Sequence, residues 1–262
     1  MSPPSWMNRP LARLLPWLRR AAPWLCALSL LGGCGGAMEN SDSEGDIARG
    51  LWSGASTDGR AVLLWVFGDG QWAGVYSSAS NPTALAGGWT GRGSTSLSTF
   101  TSSSAREYSL EAAAARSASL TAAVKKSSTL AGTVGASGNL LTVATTYQSA
   151  FDSTAALASL VGTHLGTVSL IGGSLAANLQ VASTGGVSGT LGSCTVSGSI
   201  TARSDANAYG WQLTPSGSCT GAGQSYSGTA VDVSDGSTRL LLGLGANAGS
   251  SNALLLRLLK TS

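Results

Sequence analysis

The chain has 262 residues, of which 36 are glycine and only 27 are formally charged, 15 basic and 12 acidic, with 43% hydrophobic residues. Coiled coils and ordinary helical bundles do not have this composition, and the apolar content is enough for a packed core rather than a disordered chain. The net charge of +3 comes from Arg9, Arg13, Arg19 and Arg20; without them 11 basic residues face 12 acidic ones, a balance of −1. That leaves no basic footprint for nucleic acid.

Residues 1–33 read as a signal segment. A basic, acid-free stretch leads into the apolar run from Ala21 to Leu31. The run meets Gly32, Gly33, Gly35 and Gly36 well short of the roughly 20 apolar residues that a spanning helix needs. Leu31-Gly32-Gly33-Cys34 resembles the bacterial lipobox, an apolar residue and two small ones before a cysteine. The resemblance implies cleavage between Gly33 and Cys34 and attachment of lipid, palmitate included, to Cys34. Acyl chains of that kind hold a protein to a membrane, since each buried methylene contributes about 0.8 kcal/mol. Gly35 stands where an aspartate commonly marks inner-membrane retention in that family, so the resemblance implies the outer membrane. Residues 34–48, with Glu39, Asp42, Glu44 and Asp46 among Gly, Asn and Ser, read as a flexible tether.

The body reads as all-β, one or two small Gly-rich antiparallel β-barrels or sandwiches. Residues 61–67 and 71–76 flank Gly68-Asp69-Gly70 and predict a hairpin. The first of these runs is almost continuously apolar, as expected of a strand covered on both faces. Residues 107–116 are ambiguous, because Glu111 to Arg116 has high helix propensity, whereas 117–124 alternates at strand period. Leu179, Val181, Gly185 and Gly189 fall 115 residues after Leu64, Val66, Gly70 and Gly74. A second correspondence sets Gly132-Thr133-Val134 and Leu140 to Val143 beside Gly228-Thr229-Ala230 and Leu240 to Leu242. These matches suggest two related units, 49–150 and 151–262. A transmembrane barrel is disfavoured: four of the five tryptophans after Cys34 (Trp52, Trp65, Trp72, Trp89, with Trp211 apart) are crowded together rather than spread as girdles.

With Cys26 in the signal and Cys34 lipidated, Cys194 and Cys219 remain as an even pair, expected to form a structural disulfide in an oxidising envelope. Their spacing is not that of a redox Cys-x-x-Cys. His164 is the single histidine, so a general base has one candidate; its strand-like surroundings favour an ordinary surface or edge residue. Asp58, Asp69 and Asp235 precede glycines and read as turn residues; with Asp205 and Asp232 they are the alternative carboxylate cluster. Trp52, Trp65, Trp72, Trp89 and Tyr76 are assigned to core filling rather than to a ligand platform. The expectation is no cofactor, no metal and no catalytic residue. It is a lipid-anchored envelope protein with a non-catalytic body that binds a protein or small ligand, or is structural. The tether and Gly-rich β units resemble barrel lipoproteins of the transferrin-binding and factor H-binding type, which implies host-protein binding at the surface as one alternative. A small hydrophobic-ligand carrier and an envelope hydrolase around His164 are the others.

Overall fold

Strands β1 (Gly50–Ser56), β2 (Ala61–Val66), β3 (Gln71–Ser77) and β4 (Leu85–Arg92) form an antiparallel meander in the computed structural model, which describes residues 47–234 and 238–261. A short β5 (Ser94–Ser96) follows, then β6 (Thr99–Ser109), β7 (Ala114–Lys125), β8 (Thr129–Ala136) and β9 (Asn139–Tyr147). β1 pairs with β9 as well as β2, and β4 pairs with β6 as well as β3, so eight of these nine strands close into a barrel. β5 pairs only with β6, at its rim. The second barrel closes from β10 (Gly162–Leu170), β11 (Gly173–Val181), β12 (Gly186–Leu191), β13 (Cys194–Ala202), β14 (Ala208–Ser216), β15 (Tyr226–Ser234), β16 (Arg239–Asn247) and β17 (Ala253–Lys260). The fold is all-β, two closed eight-stranded antiparallel barrels.

Alternation decides which side chains turn inward. On β7, Ala118, Leu120, Ala122 and Val124 are buried while Ser117, Ser119, Thr121 and Ala123 face water. On β13, Val196 and Ile200 are buried between exposed Thr195, Ser197, Ser199 and Thr201. The helix-favouring Glu111 to Arg116 forms no helix: Leu110 to Ala113 make a turn, with Ala113 at φ 48°, and β7 begins at Ala114. Pairing with β6 from Ser109↔Ala114 onward satisfies backbone groups along the whole strand and overrides local propensity.

The hairpin around Asp69-Gly70 forms, and its counterpart 115 residues on has the same design. Phe67 N–H donates to Gln71 O and Gly70 N–H to Phe67 O, while Ala182 N–H donates to Gly186 O and Gly185 N–H to Ala182 O. Gly70 and Gly185 both hold positive φ, 78° and 85°, a conformation that costs a side-chain-bearing residue. The second sequence correspondence is corrected by the topology. It sets β8–β9 beside β15–β16, but in strand order around the barrels β8–β9 corresponds to β16–β17. The shared Gly and Leu reflect common strand composition, not equivalent position.

The continuous apolarity of β2 has a direct cause. Val62, Leu64 and Val66 point into the first barrel's core, and Leu63, Trp65 and Phe67, on the outer face, are also buried. Trp65 meets the second barrel at Thr229, and the Phe67 ring lies 5.9 Å from that of Phe151 and beneath the Arg203 guanidinium, while Val231, Leu242, Leu244 and Leu255 on the second barrel's outer face are buried in turn. β16 lies on β3 and β4, and β17 on β4. A Cβ added at Gly88 would meet Leu244 Cδ2 at 3.0 Å, and Trp65 Nε1 donates to Thr229 Oγ1 at 2.8 Å across the seam. The two barrels thus meet sheet on sheet through an apolar face, with one buried hydrogen bond fixing their register.

Candidate functional site

Both barrel interiors are filled. Trp52, Trp72, Trp89, Tyr76 and Phe100 pack the first, and Tyr209, Trp211, Tyr226 and the inward leucines of β16 and β17 pack the second. Beside the seam, two adjoining hollows of about 250 and 450 Å³ share Gln71, Ser227, Gly228 and Thr229. Ser199, Thr201 and Gln212 of β13 and β14 line the larger one, with Arg203 at one end. Its basic neighbours are internally neutralised. Arg203 forms a two-pronged pair with Asp205 at 2.8 and 2.9 Å and lies over the Phe67 ring, 3.8 Å from its centroid. That guanidinium holds the Asp205 carboxyl below its usual range. Arg92 donates to Asp69 O at 2.7 Å, with its other nitrogen 3.6 Å from the Asp69 carboxylate. The groove therefore offers hydroxyl and amide groups with little net charge.

A polar cluster closes one end of the second barrel. His164 lies on the inward face of β10 and is 2% exposed, so the expectation of a surface or edge histidine is overturned. The alternation that sends Val168 inward sends His164 inward too. Its Nε2 donates to Leu160 O at 2.7 Å, which leaves Nδ1 as a bare acceptor with no partner among the described residues. Around it, Arg239 pairs with Asp232 at 2.7 Å, Lys260 donates to Ser159 O at 3.1 Å, and the Tyr209 and Ser159 hydroxyls are bonded at 2.9 Å. The segment from Ser149 to Leu160, with short 3-10 turns at Ser149–Asp152 and Leu157–Ser159, is pinned over this end.

Burial lowers the His164 pKa below its ordinary 6.5, Lys260 adds to the fall, and the Leu160 bond and Asp232 oppose it. The unfolded chain then binds more protons than the folded one at mildly acidic pH, so stability rises with pH in that range. The melting temperature is expected to be flat above about pH 7 and to fall between pH 6.5 and 5, above the range where ordinary carboxylates titrate. In His164→Gln that part of the fall should vanish; an unchanged pH profile in the variant would show that His164 does not titrate with unfolding.

The first barrel holds an ionic group that the sequence reading missed. Glu107, 1% exposed, accepts from the Tyr76 hydroxyl at 3.2 Å and lies 3.4 Å from the Arg116 guanidinium, its register partner on β7. Burial, with the Glu107 carboxylate next, raises the Tyr76 pKa. The group braces the barrel end where Arg60 lies over Tyr76, 5.5 Å from the ring centroid, and pairs with Glu111 at 2.9 Å.

Cys194 and Cys219 are joined, with an S–S distance of 2.07 Å and Cα atoms 5.5 Å apart. Gly33 and Cys34 lie outside the described residues, as does Asp235. Asp58 and Asp69 occupy turns, with Gly59 N–H donating to Ser56 O; Asp69 and Asp205 both face Arg203 near the seam, while Asp232 lies apart at the end of the second barrel. The described residues contain no group of three His, Cys, Asp or Glu side chains placed to hold a metal. Trp52, Trp72 and Trp89 fill the core, but Trp65 instead cements the two barrels. Comparison with protein-family models, curated proteins and solved structures returned no match.

Proposed function

We propose that the chain is a lipid-anchored envelope protein whose double-barrel body binds a partner without catalysis. The observation that carries the reading is Leu31-Gly32-Gly33-Cys34, placed directly after an apolar run and before an acidic segment leading to the body. The Cys194–Cys219 disulfide supports an oxidising location, and the Ser and Thr on the outer faces of β7 and β13 support a body that sits in water. Gly35 favours the outer membrane as the site of anchorage. The surface offered to a partner is the neutral hydroxyl and amide groove beside the seam, suited to a polar macromolecule such as a protein segment. The carrier alternative draws no support from interiors packed with tryptophan and leucine, and a hydrolase would need His164 in contact with substrate rather than closed in behind Leu160.

Cys34→Ala is expected to abolish incorporation of radioactive fatty acid and to release the protein from membranes. Undiminished labelling in that variant would sink the anchor. Protease accessibility of the body on intact cells then identifies the side of the membrane from which partners come.

A further inference from the structure

The chain enters the body at one rim of the first barrel, where Ala48 is buried in the core and Gly50 opens β1 opposite Val66. The same rim carries the β5–β6 hairpin and the turn between β7 and β8. Gly93 follows the last residue of β4, and β5 with the start of β6 runs on past it. The tip is Leu97-Ser98, a two-residue turn between paired Ser96 and Thr99, with φ of 46° and 66°. Asn-Gly is the favoured occupant of such a turn, and leucine is sterically penalised there. Leu97 is nevertheless present and 90% exposed. A lone exposed leucine is ordinary, but one held against its backbone preference at the tip of a hairpin, burying nothing within this chain, points to a contact outside it. Val124 N–H donates to Ser98 O at 2.8 Å, so the end of β7 lies against the tip, and exposed Lys125 and Lys126 come next. The acids at this rim face arginines: Asp69 lies by Arg92 and Asp152 pairs with Arg49.

We propose that this rim rests on a lipid bilayer, with Leu97 in the boundary between headgroups and acyl chains and Lys125 over lipid phosphates. The inference rests on the anchor at Cys34, because a chain tied there meets the body at this rim. Twelve residues lie between Cys34 and Ile47, enough to span up to about 45 Å. The anchor alone therefore leaves orientation open, and the hairpin tip with Lys125 beside it supplies the second point of contact that sets it.

The test uses the lipidated mature chain on vesicles of phosphatidylethanolamine and phosphatidylglycerol. Leu97→Cys or Ser80→Cys, the latter in the β3–β4 loop at the opposite rim, carries an environment-sensitive dye. Aqueous iodide is expected to quench the dye at position 97 at least threefold less than at position 80, and brominated acyl chains to quench only the former. Equal iodide quenching at both positions on vesicle-bound protein overturns the orientation and leaves the anchor standing; protein that does not float with vesicles overturns both. Leu97→Asn, which suits the left-handed backbone, should raise the melting temperature by about 2–4 °C. With the dye moved to Ser96, that variant should be quenched by iodide as readily as position 80. Persistent protection would remove Leu97 from the contact.

Discussion

Trp65→Ala is expected to destabilise the body by about 3–5 kcal/mol, the range for truncating a fully buried aromatic residue. Trp65 is 0% exposed yet belongs to neither barrel's interior, so the cavity opens between the barrels and the Thr229 hydroxyl loses its donor. Two-step unfolding in urea should replace a single transition. A single transition shifted by under about 1 kcal/mol would mean that Trp65 contributes little and that the remaining contacts keep the two barrels unfolding as one unit. Trp65→Phe isolates the hydrogen bond, which on its own should account for about 1–2 kcal/mol.

Breaking the disulfide comes next in size. Cys194 and Cys219 are 25 residues apart, and closing a loop of that length restricts the unfolded chain by about 3–3.5 kcal/mol at 25 °C in the chain-entropy account. Cys194→Ala with Cys219→Ala should therefore lower the urea midpoint strongly while leaving far-ultraviolet dichroism at low denaturant unchanged. The half-cystines sit in the β12–β13 turn region and in the β14–β15 loop, with Cys194 opening β13; the bridge ties two connections at one end of the second barrel. A shift below about 1 kcal/mol would mean that the reduced, unfolded chain is already restricted in that region.

These two expectations draw on different depths of sequence information. The disulfide follows from cysteine arithmetic, and the β2–β3 hairpin from a local turn signal between apolar runs. The unbroken apolarity of residues 61–67 announced a strand covered twice, but the groups that cover its outer face, Phe151 and Arg203 on Phe67 and Thr229 on Trp65, lie more than 80 residues away and have no local trace. Barrel closure has the same character, since Trp52↔Tyr147 pairs the two ends of the first unit. Glu107 was hidden by a bulge. Phe100 and Ser102 face inward, then the register shifts between Ser102 and Ala105 with Ser103 and Ser104 both exposed, and Ala105 and Glu107 turn inward instead. Counting every second residue from Phe100 sends Glu107 to solvent, because a bulge inverts parity and serine runs do not advertise one. His164 was misplaced for a related reason: alternation between glycine, threonine and histidine has too little hydrophobic contrast to indicate an inside.

The doubly covered strand also bears on the chain's life before it is complete. Barrel one finishes at Tyr147, whereas β15, which carries the Thr229 that bonds Trp65, begins at Tyr226, 79 residues later. At about 5–20 residues per second, the nascent chain would carry an uncovered apolar patch for roughly 4–16 s. A truncated product ending in the linker would carry it permanently. Such fragments should be captured by chaperones or aggregate, so the second barrel acts as a built-in quality check on the first: only a chain translated through β15 to β17 can hide the surface that marks it as unfinished.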